Sequence, residues 1–209
     1  MMKDKNTALL LVDLQNDFCP GGALAVEEGD QVIAIANRLM PYFHTVIATQ
    51  DWHPSHHKSF ASQHSPHRAG DIILLHQKPQ ILWPDHCVQH SYGAQFHPDL
   101  NQKNIHKIIQ KGADPNVDSY SAFYDNHHLK NTGLTEWLRK KSILALYVMG
   151  LATDYCVQYT CLDAIQDHFR VHLVVDGCRG VNLKPKDTDH ALSEMKNKGV
   201  QFVHSKDIL

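Results

Sequence analysis

Short apolar runs alternate with amphipathic stretches along most of this chain. Residues 7–12 (TALLLV) are almost continuously apolar and stop at Asp13, the pattern of a strand buried on both faces. After Pro-Gly-Gly at 20–22, apolar positions recur at helical spacing from Asp30 to Met40 through Val32, Ile33, Ile35, Ala36 and Leu39. Asp30 is the expected N-cap and Pro41 the stop. Residues 44–49 (HTVIAT) predict a second strand, ending at Asp51, and residues 105–110 a third of weaker polar alternation, ending at Lys111 and Gly112. A helix near 132–141 leads into the apolar run 143–149 (ILALYVM), which stops at Gly150. A further helix starts about Asp154, and a strand at 171–175 is ended by Asp176. The last helix, 186–198, stops at Gly199, and 200–203 supplies a sixth short strand.

Strands alternating with helices predict an α/β chain: one domain over 1–209, with a mostly parallel six-stranded sheet and helices on both faces. A length of 209 residues suits one sizeable domain better than two. One stretch breaks the rhythm. Residues 52–104 carry His, Pro, Ser and Trp in place of a clear helix. They read as an ordered, irregular insertion, because long structureless segments inside compact domains usually serve a site.

Charge narrows the partners. A net charge of −2 with Lys and Arg scattered argues against nucleic acid or an anionic membrane. Five cysteines, an odd number without a C-x-x-C pair, form no disulfide framework and suit a reducing compartment. The first apolar run is too short for a signal peptide or a membrane span, so a cytoplasmic protein is expected, as a monomer or a homo-oligomer.

Chemistry enters where the strands end. Asp13, Asp51 and Lys111 each close a predicted strand, and Cys156 opens a helix straight after one. Parallel strands bring all four ends to one edge, where open α/β sheets place ligands. A thiol in the first turn of such a helix is expected to have its pKa lowered by the free N–H groups there. Asp13 is suited to take the thiol proton, and Lys111 to hold the thiolate as an ion pair. Taken singly, each Asp reads as a turn residue, and Cys156 as a small core residue. A second constellation joins Asp51 and His53 of D-W-H to His86 of W-P-D-H-C. One carboxylate and two imidazoles suit Zn²⁺, Fe²⁺ or Mn²⁺ with positions left open. Of the other histidines nearby, His57 stands as the candidate further ligand.

These motifs carry a resemblance. LLLVDLQNDFCPGGAL (9–24), ATQDWHPSHHKSF (48–60), LWPDHCVQ (82–89), KGADPNVDSYSAF (111–123) and VMGLATDYCVQYTCLDA (148–164) resemble the nicotinamidases, also called pyrazinamidases, of the isochorismatase-like cysteine hydrolases. The resemblance implies a catalytic triad of Asp13, Lys111 and Cys156 and an oxyanion hole from the N–H groups of Ala152 and Cys156. It implies a non-proline cis peptide at Leu151–Ala152 and a pocket lined by Phe18, Trp83 and Tyr120. One divalent metal, Zn²⁺ foremost, would sit on Asp51, His53 and His86. The implied reaction converts nicotinamide to nicotinate and ammonia through a Cys thioester, in NAD salvage, with pyrazinamide as a second substrate. Residues 69–80 match none of these motifs. Rival readings are a carbamoyl or ureido amidase, which lacks the metal motif, a vinyl-ether hydrolase, which does not use the cysteine, and a non-catalytic ligand-binding module.

Overall fold

The computed structural model describes residues 4–209. Its main sheet uses β1 (Thr7–Val12), β2 (Val46–Asp51), β5 (Lys107–Lys111), β6 (Ala145–Leu151), β7 (Arg170–Arg179) and β8 (Gln201–Val203). All pair in parallel, in the order β5-β2-β1-β6-β7-β8. The continuous apolar runs fall where the sheet is covered on both sides. Leu9, Leu10 and Leu11 of β1 are fully buried, as are Val46, Ile47 and Ala48 of β2. β5 lies at the edge, and its alternation is the burial pattern itself, with Ile109 and Lys111 inward and Lys107, Ile108 and Gln110 outward.

The helices are α1 (Gln31–Leu39), α2 (Leu134–Lys140), α3 (Gln158–Gln166) and α4 (Asp187–Asn197). The β1–α1–β2 crossover runs toward the β5 edge, and those through α2, α3 and α4 run the other way. Right-handed connections then put α1 on one face and the other three on the opposite face. This is the expected α/β architecture, with one extensive apolar core. Gly150 sits at φ +131 against β1, where a Cβ would lie 2.2 Å from the Val12 carbonyl oxygen. Only glycine lets the two central strands pair this closely at their tips.

Three local expectations are corrected. Asp30 makes no side-chain capping bond to α1 and itself has helical dihedrals. β7 does not end at Asp176 but runs to Arg179, with a register shift opposite Val148 and Gly150. The Asp176 carboxylate instead accepts from the backbone N–H and Oγ–H of Ser205, at 2.8 and 2.5 Å. Within residues 52–104 lies an antiparallel hairpin of β3 (Ile72–Leu75) and β4 (Lys78–Ile81), over the segment that matched no motif. Its turn places His76 and Gln77 at φ +51 and +64, a two-residue geometry that Asn-Gly would have announced.

Candidate active site

β1 and β6 are neighbours, and the chain runs on from β1 toward β2 on one side and from β6 toward β7 on the other. Their C-terminal tips therefore flank the sheet's switch point, where a crevice opens. Asp13 follows β1 at φ +50. Its carboxylate accepts the Thr49 hydroxyl at 2.6 Å, and its own N–H donates to that oxygen at 3.0 Å. Lys111, the last residue of β5, reaches in below the rim with its side chain wholly buried. Its Nζ pairs with Asp13 Oδ2 at 2.9 Å and with Asp51 Oδ1, donates to the Ser119 carbonyl at 3.0 Å, and lies 3.4 Å from Cys156 Sγ. Asp13, Asp51, Lys111 and Cys156 thus converge. Cys156 lies in a π-helical turn, Thr153–Val157, that leads into α3. The peptide between Leu151 and Ala152 at its start is cis.

Burial dominates the proton chemistry here. It pushes the Asp13 carboxyl up, against the opposing pull of Lys111. It also pushes the Cys156 thiol well above its usual range. Lys111 opposes that rise, and the Asp13 and Asp51 carboxylates add to it. The expected low thiol pKa is therefore corrected. A helix end acts only within one turn, and burial together with the two carboxylates the fold packs beside the sulfur outweighs it. Lys111 is itself desolvated, but Asp13 and Asp51 more than restore its charge and hold it well above the ordinary lysine range. The resting state is a thiol beside a carboxyl group of raised proton affinity and a fixed ammonium.

Asp51 faces two ways. Burial pushes its carboxyl up, yet Lys111 and His53 outweigh that and hold it well below the usual range. While Oδ1 meets Lys111, Oδ2 lies 3.4 Å from His53 Nε2 and 3.7 Å from His86 Nε2. The His53 Nδ1–H donates to the Gly112 carbonyl at 2.9 Å, and the His86 Nδ1–H to that of Pro84 at 2.8 Å, since a carbonyl only accepts. In the neutral rings both Nε2 lone pairs then point at a carboxylate oxygen. The three donor atoms lie within 4.8 Å of one another, and one carboxylate with two imidazoles so arranged fits a divalent metal ion. Gly112 makes room for this. At φ +67, a Cβ there would meet the His53 ring at 2.4 Å. His57 packs beside His53, ring centroids 4.4 Å apart, and burial pushes it down to about 4.

The crevice is closed by aromatic rings. Phe18 meets His86 edge-on at 5.5 Å, and Trp83 Nε1–H donates to the Tyr120 hydroxyl at 3.0 Å. Phe18, Trp83, Tyr120, Ala152 and Cys156 line one pocket, joined by Tyr155 and Asp118. Those last two were missed. Asp118 sits in D-P-N-V-D-S-Y, where it is indistinguishable from a turn residue, and Tyr155 precedes Cys156 with only helical neighbours as a signal. Gln15 was missed as well. Its amide bridges the Asp51 N–H and C=O, at 2.7 and 2.9 Å, and so fixes the tip of β2.

A sequence model described as the isochorismatase domain matches residues 7–207. The chain belongs to the isochorismatase family. The Escherichia coli K12 nicotinamidase is 56% identical over 198 residues, 92% of each chain. In three dimensions the chain is similar to the Acinetobacter baumanii nicotinamidase/pyrazinamidase, with a TM-score of 0.96 at 42% identity, covering 99% of this chain and 100% of that one. It also resembles the Pyrococcus horikoshii pyrazinamidase in complex with zinc, with a TM-score of 0.78 at 37% identity over 95% and 99% of the chains. Among the described residues, no helix is long and apolar enough to cross a membrane.

Proposed function

We propose that this chain is a nicotinamidase, an amidohydrolase converting nicotinamide to nicotinate and ammonia within NAD salvage in the cytoplasm, and that it also deamidates pyrazinamide. One observation carries the reading: Lys111 Nζ lies within bonding reach of Asp13, Asp51 and Cys156, and Asp51 also borders the two imidazoles of a cation site. Similarity to enzymes with that activity supports it.

The Cys156 thiol gives its proton to Asp13 as sulfur attacks the amide carbon, forming the C–S bond. Lys111 offsets the negative charge of the sulfur during attack. The N–H groups of Ala152 and Cys156 hold the oxygen that becomes negative. Asp13 returns the proton to the amide nitrogen, the C–N bond breaks, and ammonia leaves. Water then attacks the thioester, Asp13 takes its proton, and nicotinate departs as the thiol is restored. Phe18, Trp83 and Tyr120 hold the aromatic ring. Asp51, His53 and His86 would hold the metal, Zn²⁺ by donor type, which when bound supplies an electrophilic anchor for the ring nitrogen.

Ammonia release from nicotinamide, measured with and without a chelator, tests the proposal. Release that stops on chelation and returns with added Zn²⁺, Fe²⁺ or Mn²⁺ is expected. No release from the metal-supplemented protein would overturn it.

A further inference from the structure

His57 has the residue type and the place of a metal ligand, but its hydrogen bonds orient it otherwise. The ring is fully buried. Its Nδ1 lies 2.7 Å from Ser59 Oγ and 3.2 Å from Ser59 N. A backbone N–H can only donate, so Nδ1 is the acceptor of that pair. In the neutral ring the proton then sits on Nε2, which has no lone pair left for a metal ion. Among the described residues, that Nε2 has no hydrogen-bond partner, although buried polar groups almost always find one. Nearby, one donor atom each of His57, His53 and Asp118 lie within 4.8 Å of one another. The Asp118 carboxylate already accepts the Ser119 N–H at 2.8 Å and Gln80 Nε2 at 3.3 Å, and its oxygens can accept more.

We propose that His57 is a positioning residue and not a metal ligand: its Nε2–H and the Asp118 carboxylate together hold one water beside the Asp51–His53–His86 cluster. The unpartnered Nε2 makes no direct contact with Asp118, and with one donor atom of each residue within 4.8 Å of the other's, a single water can bridge them. Such a water would receive one hydrogen bond and give another, which orients its remaining lone pair and hydrogen. Ser59 acts one step further out, by deciding which His57 nitrogen carries the proton. The inference rests on the metal reading of the neighbouring cluster and goes beyond it.

The test compares His57→Gln, His57→Ala and His53→Ala in the full chain. It measures zinc affinity by chelator competition, the visible absorption of the Co²⁺-loaded protein, and turnover. A glutamine amide places an N–H near the position of Nε2 and binds Zn²⁺ poorly. If His57 is the donor, His57→Gln keeps zinc affinity within about threefold and leaves the Co²⁺ bands unchanged. His57→Ala should then lose about tenfold in affinity or turnover, in the range of partners behind a metal's own ligands. His53→Ala should lose far more. Loss of zinc by His57→Gln as severe as that of His53→Ala would overturn the proposal, because it would make His57 a ligand. An His57→Ala protein matching the parent in both affinity and turnover would overturn it too, because the ring would then only fill space. If no variant, parent included, binds zinc, the failure belongs to the metal reading, and this assignment falls with it.

Discussion

Removing Lys111 should destabilise the fold strongly. Lys111→Met keeps the length and packing of the side chain and deletes the ammonium. Two buried carboxylates, Asp13 and Asp51, then lose the cation that meets both, and the Ser119 carbonyl loses a donor. Breaking a buried ion pair from one side costs about 3–5 kcal/mol, two to three and a half decades in the folding equilibrium at about 1.4 kcal/mol per decade. The relief available is protonation of Asp13, which burial already favours. With Lys111 gone, the folded protein binds more protons than the unfolded chain above the ordinary Asp range. Stability of the variant therefore falls, relative to the parent, as pH rises from about 5 to 8. Urea unfolding followed by circular dichroism at both pH values measures this, with an unchanged m-value as the check on two-state behaviour. Adding Asp13→Asn to Lys111→Met should restore part of the loss, because one orphaned charge disappears. A Lys111→Met protein within about 1 kcal/mol of the parent, the range of a solvated surface pair, would refute the picture of a dry, mutually neutralising cluster.

Cys156→Ala should abolish ammonia release with the urea midpoint little changed; residual turnover above a hundredth of the parent's would exclude a thioester. In the resting protein, iodoacetamide should label Cys156 no faster than a free thiol at pH 7, because burial raises it; selective fast labelling would show that Lys111 and the helix end prevail. Benzamide, which keeps the amide and lacks the ring nitrogen, should be turned over far more slowly than nicotinamide; comparable rates would reject a cation anchored on Asp51, His53 and His86. Burial pushes Asp176 up, but Ser205 outweighs it and lowers the carboxyl below its ordinary value, so its stabilising effect is complete above about pH 4 and is lost as pH falls through the folded value. The stability gap between parent and Asp176→Asn should accordingly shrink on acidification, and a gap that is constant from pH 7 to pH 3 would sink the assignment.

Strands such as TALLLV could be read because burial on both faces demands an unbroken apolar run, which few other structures need. The rim could be read for a related reason: a polar residue closing such a run must face the crevice or a turn, and in Asp13, Asp51 and Lys111 it faces the crevice. What stayed hidden depends on long-range partners. β7 passes through Asp176 because Ser205, 29 positions on, satisfies the carboxylate. The hairpin at 72–81 turns on His76 and Gln77, which lack the Asn-Gly pair that marks such a turn in sequence. The raised pKa of the Cys156 thiol is illegible in the sequence because desolvation is a property of the folded neighbourhood and leaves no trace in local spacing. Asp118 became visible only once folding set it beside His53 and His57.

The order of the strands also makes the sheet a ruler. β2, β1 and β6 are consecutive, and neighbouring strands lie about 4.8 Å apart. Asp51 hangs from the tip of the first, Asp13 from the second, and Cys156 from the turn after the third. The gap between the imidazole-lined end of the crevice and the sulfur is therefore graduated in strand spacings that backbone hydrogen bonds lock, and no loop movement can stretch it. Side chains around the rim set the width of ring that enters. They cannot change how far a ring atom must lie from the carbonyl it carries, so tolerance in girth would coexist with intolerance in length.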